Sequence, residues 1–260
     1  MPKGEFYDGI WDEHQWEAHL NEIEKKSEQL RKFIAPDPSG NIPRWITLLQ
    51  ENKDELEAVD AFIEEELQIE EAYFPEEDDD DWDDELEDDI DDFFFDEYEE
   101  EEDEFSIEES YDDFDEGEEW KELSEDFVMS DYGSIDTLDI YNEARELAAY
   151  VLQWSEGIHP KYLSPQFNDF VANILKIGAK LAGGYSFGFE QDFLGGNIVY
   201  TKKALACANN SLHLLQDYMK KTPFMDQDQY AKLHEVLFEL RNDIGIYVQE
   251  LREQFKRGFE

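Results

Sequence analysis

Cys207 is the only cysteine in the 260 residues, so the chain can form no intramolecular disulfide and no multi-cysteine zinc or iron–sulfur site. Its setting, KKALACANNSL, reads as a helix in which a small apolar thiol fills a core position. No apolar run approaches the ~20 residues that span a bilayer. The N-terminal MPKGEFYDGIWDEHQW lacks the basic-then-apolar order of a secretory signal. Together these lead us to expect a soluble, cytoplasmic protein without membrane contact. Strand signals are almost missing, NIVYT at 197–201 being the one β-branched cluster. No Walker loop, Gly-x-Ser-x-Gly or dinucleotide fingerprint is present. A di-iron bundle needs Glu-x-x-His on each of two helices, a pair that His14, His19, His159, His213 and His234 do not supply. An EF-hand needs Gly at position six and Glu at position twelve. Residues 76–105 hold no Gly, and Gly117 as position six would put Leu123 at position twelve. These absences leave no catalytic residue, metal site or cofactor to assign, and the chain reads as non-enzymatic.

Basic residues are the scarcest group where the acids are densest. The net charge is −49, from 21 basic and 70 acidic residues. By segment, 1–75 carries 19 acids and 7 bases, 76–133 carries 34 acids and only Lys121, and 134–260 carries 17 acids and 13 bases. The balances are therefore −12, −33 and −4, and the charge is a local device rather than a coat over every surface. Phosphate binding needs Lys and Arg to release counterions, so the central segment is a poor nucleic-acid ligand. A concentrated negative field attracts basic proteins instead.

Outside that segment, apolar residues recur at helical spacing. Trp16, Leu20, Ile23, Leu30, Phe33 and Ile34 form one stripe over 12–34, with Asp12 and Gln15 as a capping box. From Pro43 to Tyr73, Ile46, Leu49, Leu56, Val59, Phe62, Ile63 and Leu67 predict a second helix, and the short connection predicts a helical hairpin. Four further helices are expected, beginning at Ser134 or Asp136, at Ser164-Pro165, near Asn197 and at Asp226. They end near Trp154, Gly183-Gly184, Lys220 and Lys256, with GGYSFGFEQDFLGGN as a bend or loop inside which a glycine-tolerant helix could begin. The expected fold is all-α, with a helical hairpin at 1–75, an acidic–aromatic segment at 76–133 and a four-helix bundle at 134–260.

Within the bundle, DIYNEARELAAYVLQWSEGIHP is similar to the first helix of the bacterial four-helix-bundle proteins encoded in 23S rRNA intervening sequences. FVANILKIGAKLAGGYSFG and EQDFLGGNIVYTKKALACANNSL resemble their second and third helices. The family's Asn-Ile-Ala-Glu-Gly junction is replaced by Lys180-Leu181-Ala182-Gly183-Gly184. The resemblance, confined to about 134–257, implies an oligomer-forming bundle, with some members adapting RNA or an RNA-handling enzyme. Those adaptors tend to be basic, which this chain is not.

The acidic segment is patterned. Trp82, Leu86, Ile90, Phe93, Phe94, Tyr98 and Phe105 follow helical steps through a composition that opposes a helix, since Asp is a poor helix former and like charges at i,i+4 repel. Three readings compete: a solvated linker, a segment that folds against a basic, partly apolar partner, and a helix already packed on the hairpin. The second makes these seven residues the partner-binding set. Lys176, Lys180, Lys202, Lys203, Lys220 and Lys221 on the bundle are candidate anion contacts, for RNA or for the chain's own acidic segment. Nucleic acid is thus expected only through the bundle, if at all. The reading is of an adaptor, chaperone-like binder or nucleic-acid mimic for a basic protein. The alternative is a carboxylate-metal hydrolase using Glu143/Glu146 and Glu235/Glu239.

Overall fold

The computed structural model describes residues 10–34, 42–71 and 133–258. Among them are seven α-helices and no strand: α1 (Glu13–Ile34), α2 (Arg44–Glu51), α3 (Glu55–Glu71), α4 (Asp139–Glu156), α5 (Pro165–Ser186), α6 (Gln191–Asp217) and α7 (Gln227–Arg257). The protein is all-α.

The predicted helix starts follow local chemistry. Asp12 Oδ1 accepts from Gln15 N (2.9 Å) while Gln15 Oε1 accepts from Asp12 N (3.0 Å), closing the capping box at α1. Ser164 Oγ accepts from Phe167 N (3.2 Å) ahead of Pro165 at the first position of α5. Asp226 Oδ1 accepts from Gln229 N (2.8 Å) at α7. Ser134 caps a short 3₁₀ turn, Ile135–Thr137, rather than α4 itself.

The single helix expected from Pro43 to Tyr73 is two. Asn52 ends α2 in an extended conformation, with its backbone N and its Nδ2 both donating to Leu48 O (3.0 and 2.9 Å). Asp54 Oδ1 then accepts from Glu57 N (2.9 Å) and starts α3. Side chains that hydrogen-bond to nearby backbone favour caps over helix interiors. The break rephases the stripe, leaving Leu56 44% exposed and bringing Trp45 inside.

α5 ends at Ser186, two residues past the Gly183-Gly184 pair, so both glycines lie within the helix. A Cβ at Gly184 would lie 3.1–3.3 Å from Asn197 and Thr201, so glycine there lets α5 and α6 approach closely. α6 begins at Gln191, inside the glycine-rich stretch, before Gly195-Gly196 and six residues ahead of Asn197. A Cβ at Gly195 would collide with the Trp16 ring of α1, which fills the notch. Tertiary contact here overrides the poor helix propensity of glycine.

Helices α4–α7 form the four-helix bundle, with α5 and α6 in the longest contact and α4 meeting α7 along a shorter seam. α3 lies against α4 and α5, and α1 lies along α6 and touches α3. The main core joins Phe167, Phe170, Ile174 and Leu237 of the bundle to Trp45, Leu48, Val59 and Ile63 of α2 and α3. Hydrophobic burial therefore runs continuously across the compositional divisions drawn at 75 and 134. A second cluster, Leu20 and Ile23 against Val199 and Tyr200, seats α1 on α6. Each such fully buried side chain contributes ~1.5–3 kcal/mol. The α1 side chains Leu30, Phe33 and Ile34 lie outside the described ones.

Two ion pairs fasten the N-terminal helices at their rims. Arg145 of α4 grips Asp60 of α3 with both Nε (2.7 Å) and Nη2 (2.5 Å). Arg44 spans from α2 to Glu65 of α3 in the same forked manner. Planar bidentate pairs of this kind add geometric specificity as well as energy.

Candidate functional site

Lys176, Lys180, Lys202 and Lys203 come together where α1 crosses α5 and α6. α1 presents Glu13, Glu17 and Glu24 to them, at spacings that keep all three acids on one face. Lys202 Nζ lies 2.8 Å from Glu13 Oε1 and 3.0 Å from Glu17 Oε2. Lys203 Nζ lies 2.7 Å from Glu24 Oε2 and also donates to Leu20 O (3.4 Å). Lys180, whose side chain is only 5% exposed, reaches Glu24 Oε1 at 3.7 Å. Both Lys180 and Lys203 lie over the Tyr200 ring, at 5.4 and 5.7 Å from its centroid. Arg252 of α7 completes the set with a forked pair to Glu13 (2.9 and 2.6 Å). Three α1 carboxylates thus occupy the cations that sequence spacing offers to an external anion. The periodicity of α1 marks Glu13, Glu17 and Glu24 only as one polar face; nothing local says what that face meets.

The electrostatics follow from the pairing. The hydrogen bond from Arg252 dominates at Glu13; burial opposes it and Lys202 reinforces it, and the carboxyl is held down at about 2. Burial alone would raise Glu24, but the Lys203 hydrogen bond and the charges of Lys180, Lys203 and Lys176 hold it below its ordinary value. A depressed carboxyl stabilises the fold fully above its unfolded value and loses that contribution as pH falls through the folded one. α1 is therefore expected to loosen as pH drops from about 4.5 towards 2. Amide hydrogen exchange should rise over 13–24 in that window before it rises in α5 and α6.

Lys220 and Lys221 stand apart from the other four lysines. They lie on the 3₁₀ turn Met219–Lys221 after α6, roughly 25 Å along the helix axis from Lys202 at 1.5 Å per residue. Lys220 covers the Tyr230 ring at 5.0 Å. The six lysines do not form one anion site.

A different site lies between α4 and α7, lined by described residues of those two helices alone. A cleft of about 600 Å³ opens along this seam, with Leu147 and Leu233 at its floor. Glu143 and Glu146 line it from α4, and Glu239 and Asp243 line it from α7. Partial burial, then the like charges of Asp243, Asp139, Glu146 and Glu239, push the Glu143 carboxyl above its ordinary value. Lys232, which also lines the cleft, sits over the Tyr150 ring at 4.2 Å. Of the two glutamate pairs picked out in the sequence, Glu143/Glu146 reaches the cleft intact. The other contributes Glu239, joined by Asp243 rather than by Glu235.

The remaining candidates stay separate. His213 pairs with Asp217 on the surface (2.9 Å), and His234 meets Gln216 (2.9 Å) and stacks on Phe238. Among the described residues no three His, Cys, Asp or Glu side chains are grouped to hold a metal ion. Burial pushes the Cys207 thiol up, which keeps it a neutral packing residue. Trp82, Leu86, Ile90, Phe93, Phe94, Tyr98 and Phe105 lie outside the described residues. No described helix is long and apolar enough to cross a membrane.

Fold and site together define an all-α protein: a four-helix bundle with its N-terminal helices clamped onto it by ion pairs and an acidic cleft left open. No family model, curated protein or solved structure matches the chain.

Proposed function

We propose that this protein is a non-enzymatic binder of a basic protein partner, acting through the acidic–aromatic segment at 76–133 as an adaptor, chaperone-like binder or nucleic-acid mimic. The observation that carries this reading is the 30 acids without one base between Glu76 and Glu119, with aromatic residues interleaved at helical steps. Carboxylates supply attraction and steering, and the aromatic rings supply the buried anchors that hold an interface.

The ion pairs under α1 support an external partner over an internal one. Lys180, Lys202, Lys203 and Arg252 already meet Glu13, Glu17 and Glu24. An acidic segment folding back would have to displace carboxylates that are covalently tethered nearby. The same pairing weighs against RNA on this face, because a polyanion would face the same competition. Metal-dependent hydrolysis would require a ligand group that the described residues do not contain.

The test is capture of basic proteins by the full chain and by a chain lacking 76–119. Capture by the full chain should weaken steeply as salt rises, since the Debye length shortens from about 10 Å at 0.1 M to about 3 Å at 1 M. The deletion should lose most of the capture at 0.1 M salt. Retention of undiminished, salt-sensitive capture by the deleted chain would overturn the proposal.

A further inference from the structure

We propose that the α4–α7 cleft is a docking groove for a basic, amphipathic helix of a partner protein, separate from the acidic segment. Three observations converge on it.

The first is that no other described helix lines the seam. α3 covers the α4/α5 side of the bundle and α1 lies along α6, whereas α4 and α7 keep an open furrow between them. The second is the state of its carboxylates. Several acids elsewhere on the folded body are paired: Glu13, Glu17 and Glu24 with lysines and Arg252, Asp60 with Arg145, Glu65 with Arg44. Glu143, Glu146, Glu239 and Asp243 make no hydrogen bond or ion pair among the described residues, and they repel one another across the furrow. The third is exposed apolar surface on α7, in the cleft and further along the helix. Val236 lines the cleft and is 38% exposed, and Ile246, further along α7, is 57% exposed. Their separation of ten residues corresponds to ~15 Å of helix, about three turns of a docked partner helix.

Charge complementarity chooses the occupant. An anionic ligand would add to the repulsion. A second copy carries a net charge of −49, and the chain's own segments outside the described residues carry only Lys3 and Lys121 as bases. A partner helix with Lys or Arg on its flanks and apolar residues between them would relieve the carboxylate repulsion and cover Val236 and Ile246. Lys232 over Tyr150 shows in miniature how the furrow receives an ammonium group: on an aromatic face beside carboxylates. The inference shares with the proposed function only the basic character of the partner, and it stands without the acidic segment.

The test keeps the full chain, with 76–119 intact, and uses two probes: a synthetic amphipathic helix of Lys and Leu, and poly-lysine. E143K/E239K reverses charge in the groove, and E22K/E156K reverses the same amount of charge at exposed sites away from it. V236S/I246S removes apolar surface at constant charge. Thermal midpoints confirm that each variant is folded. We expect E143K/E239K to weaken the Lys/Leu helix roughly tenfold and E22K/E156K to weaken it less than about twofold. V236S/I246S should weaken the Lys/Leu helix about threefold and leave poly-lysine unchanged. Equal losses from the two charge reversals, or no loss from V236S/I246S, would mean that the overall field holds the peptide and would overturn the groove.

Discussion

Replacing Trp45 by Ala is expected to destabilise the whole folded body by about 3–5 kcal/mol, the usual cost of emptying a buried aromatic site. Trp45 is 5% exposed, and its ring packs 6.2 Å from Phe167, itself fully buried at the start of α5. Trp154 and Phe224 complete the aromatic group around Phe167. The side chain therefore belongs to α2 by sequence and to the bundle by packing. The midpoint of thermal unfolding should fall by roughly 10 °C for a body of this size. Circular dichroism and intrinsic fluorescence should still report one coincident transition. Two separated transitions, with the bundle's midpoint unmoved, would show that the N-terminal helices are a dispensable attachment. Trp45→Phe should recover most of the loss, because a ring still meets Phe167.

Glu24→Ala is expected to cost about 2 kcal/mol and to release α1. Removing one partner of a buried ion pair costs ~3–5 kcal/mol because the other charge is stranded. Exposed pairs contribute ~1 kcal/mol or less. Glu24 lies between these limits: its side chain is 42% exposed, but it serves both Lys203 and the nearly inaccessible Lys180. The measurement is urea denaturation together with proteolytic cleavage after α1. A useful contrast is K180M, which replaces the buried ammonium by an apolar chain of similar length. In the Glu24→Ala background it should restore about half of the loss, because one of the two stranded charges is gone. If Glu24→Ala left both stability and cleavage unchanged, the Glu24 pairs would be passengers, and Leu20, Ile23 and Trp16 with the Glu13 and Glu17 pairs would hold α1.

These two sites show which parts of the molecule are local and which are not. The capping residues Asp12, Ser164 and Asp226 act on backbone groups two or three positions away, so their neighbours in the chain suffice to identify them. The break at Asn52-Lys53-Asp54 is equally local, and the uninterrupted apolar spacing from Ile46 to Leu67 concealed it. The glycine pairs are read differently once the fold is known. Gly-Gly stops an isolated helix by propensity, whereas here Gly184 and Gly195 sit where another helix or ring comes too close for a Cβ. Lys180, Lys202 and Lys203 were recognisable as a cluster. Their partners lie more than 150 positions earlier in the chain, on a helix whose acids look like any solvated face.

The amino-acid sequence by itself determined that the chain is all-α, where most of its helices begin, and that about two thirds of its net charge falls within 76–133. These depend on residue type and on spacing within one helix, which periodicity and backbone chemistry express directly. Only the tertiary structure decided that α2 and α3 share the bundle's core, that α1 neutralises the bundle's lysines, and that Glu143 and Glu239 face one another across an open seam. Periodicity shows which face of a helix is apolar or charged. Which other face it meets is settled by packing the helices together, where burial, close approach and charge pairing are satisfied at once.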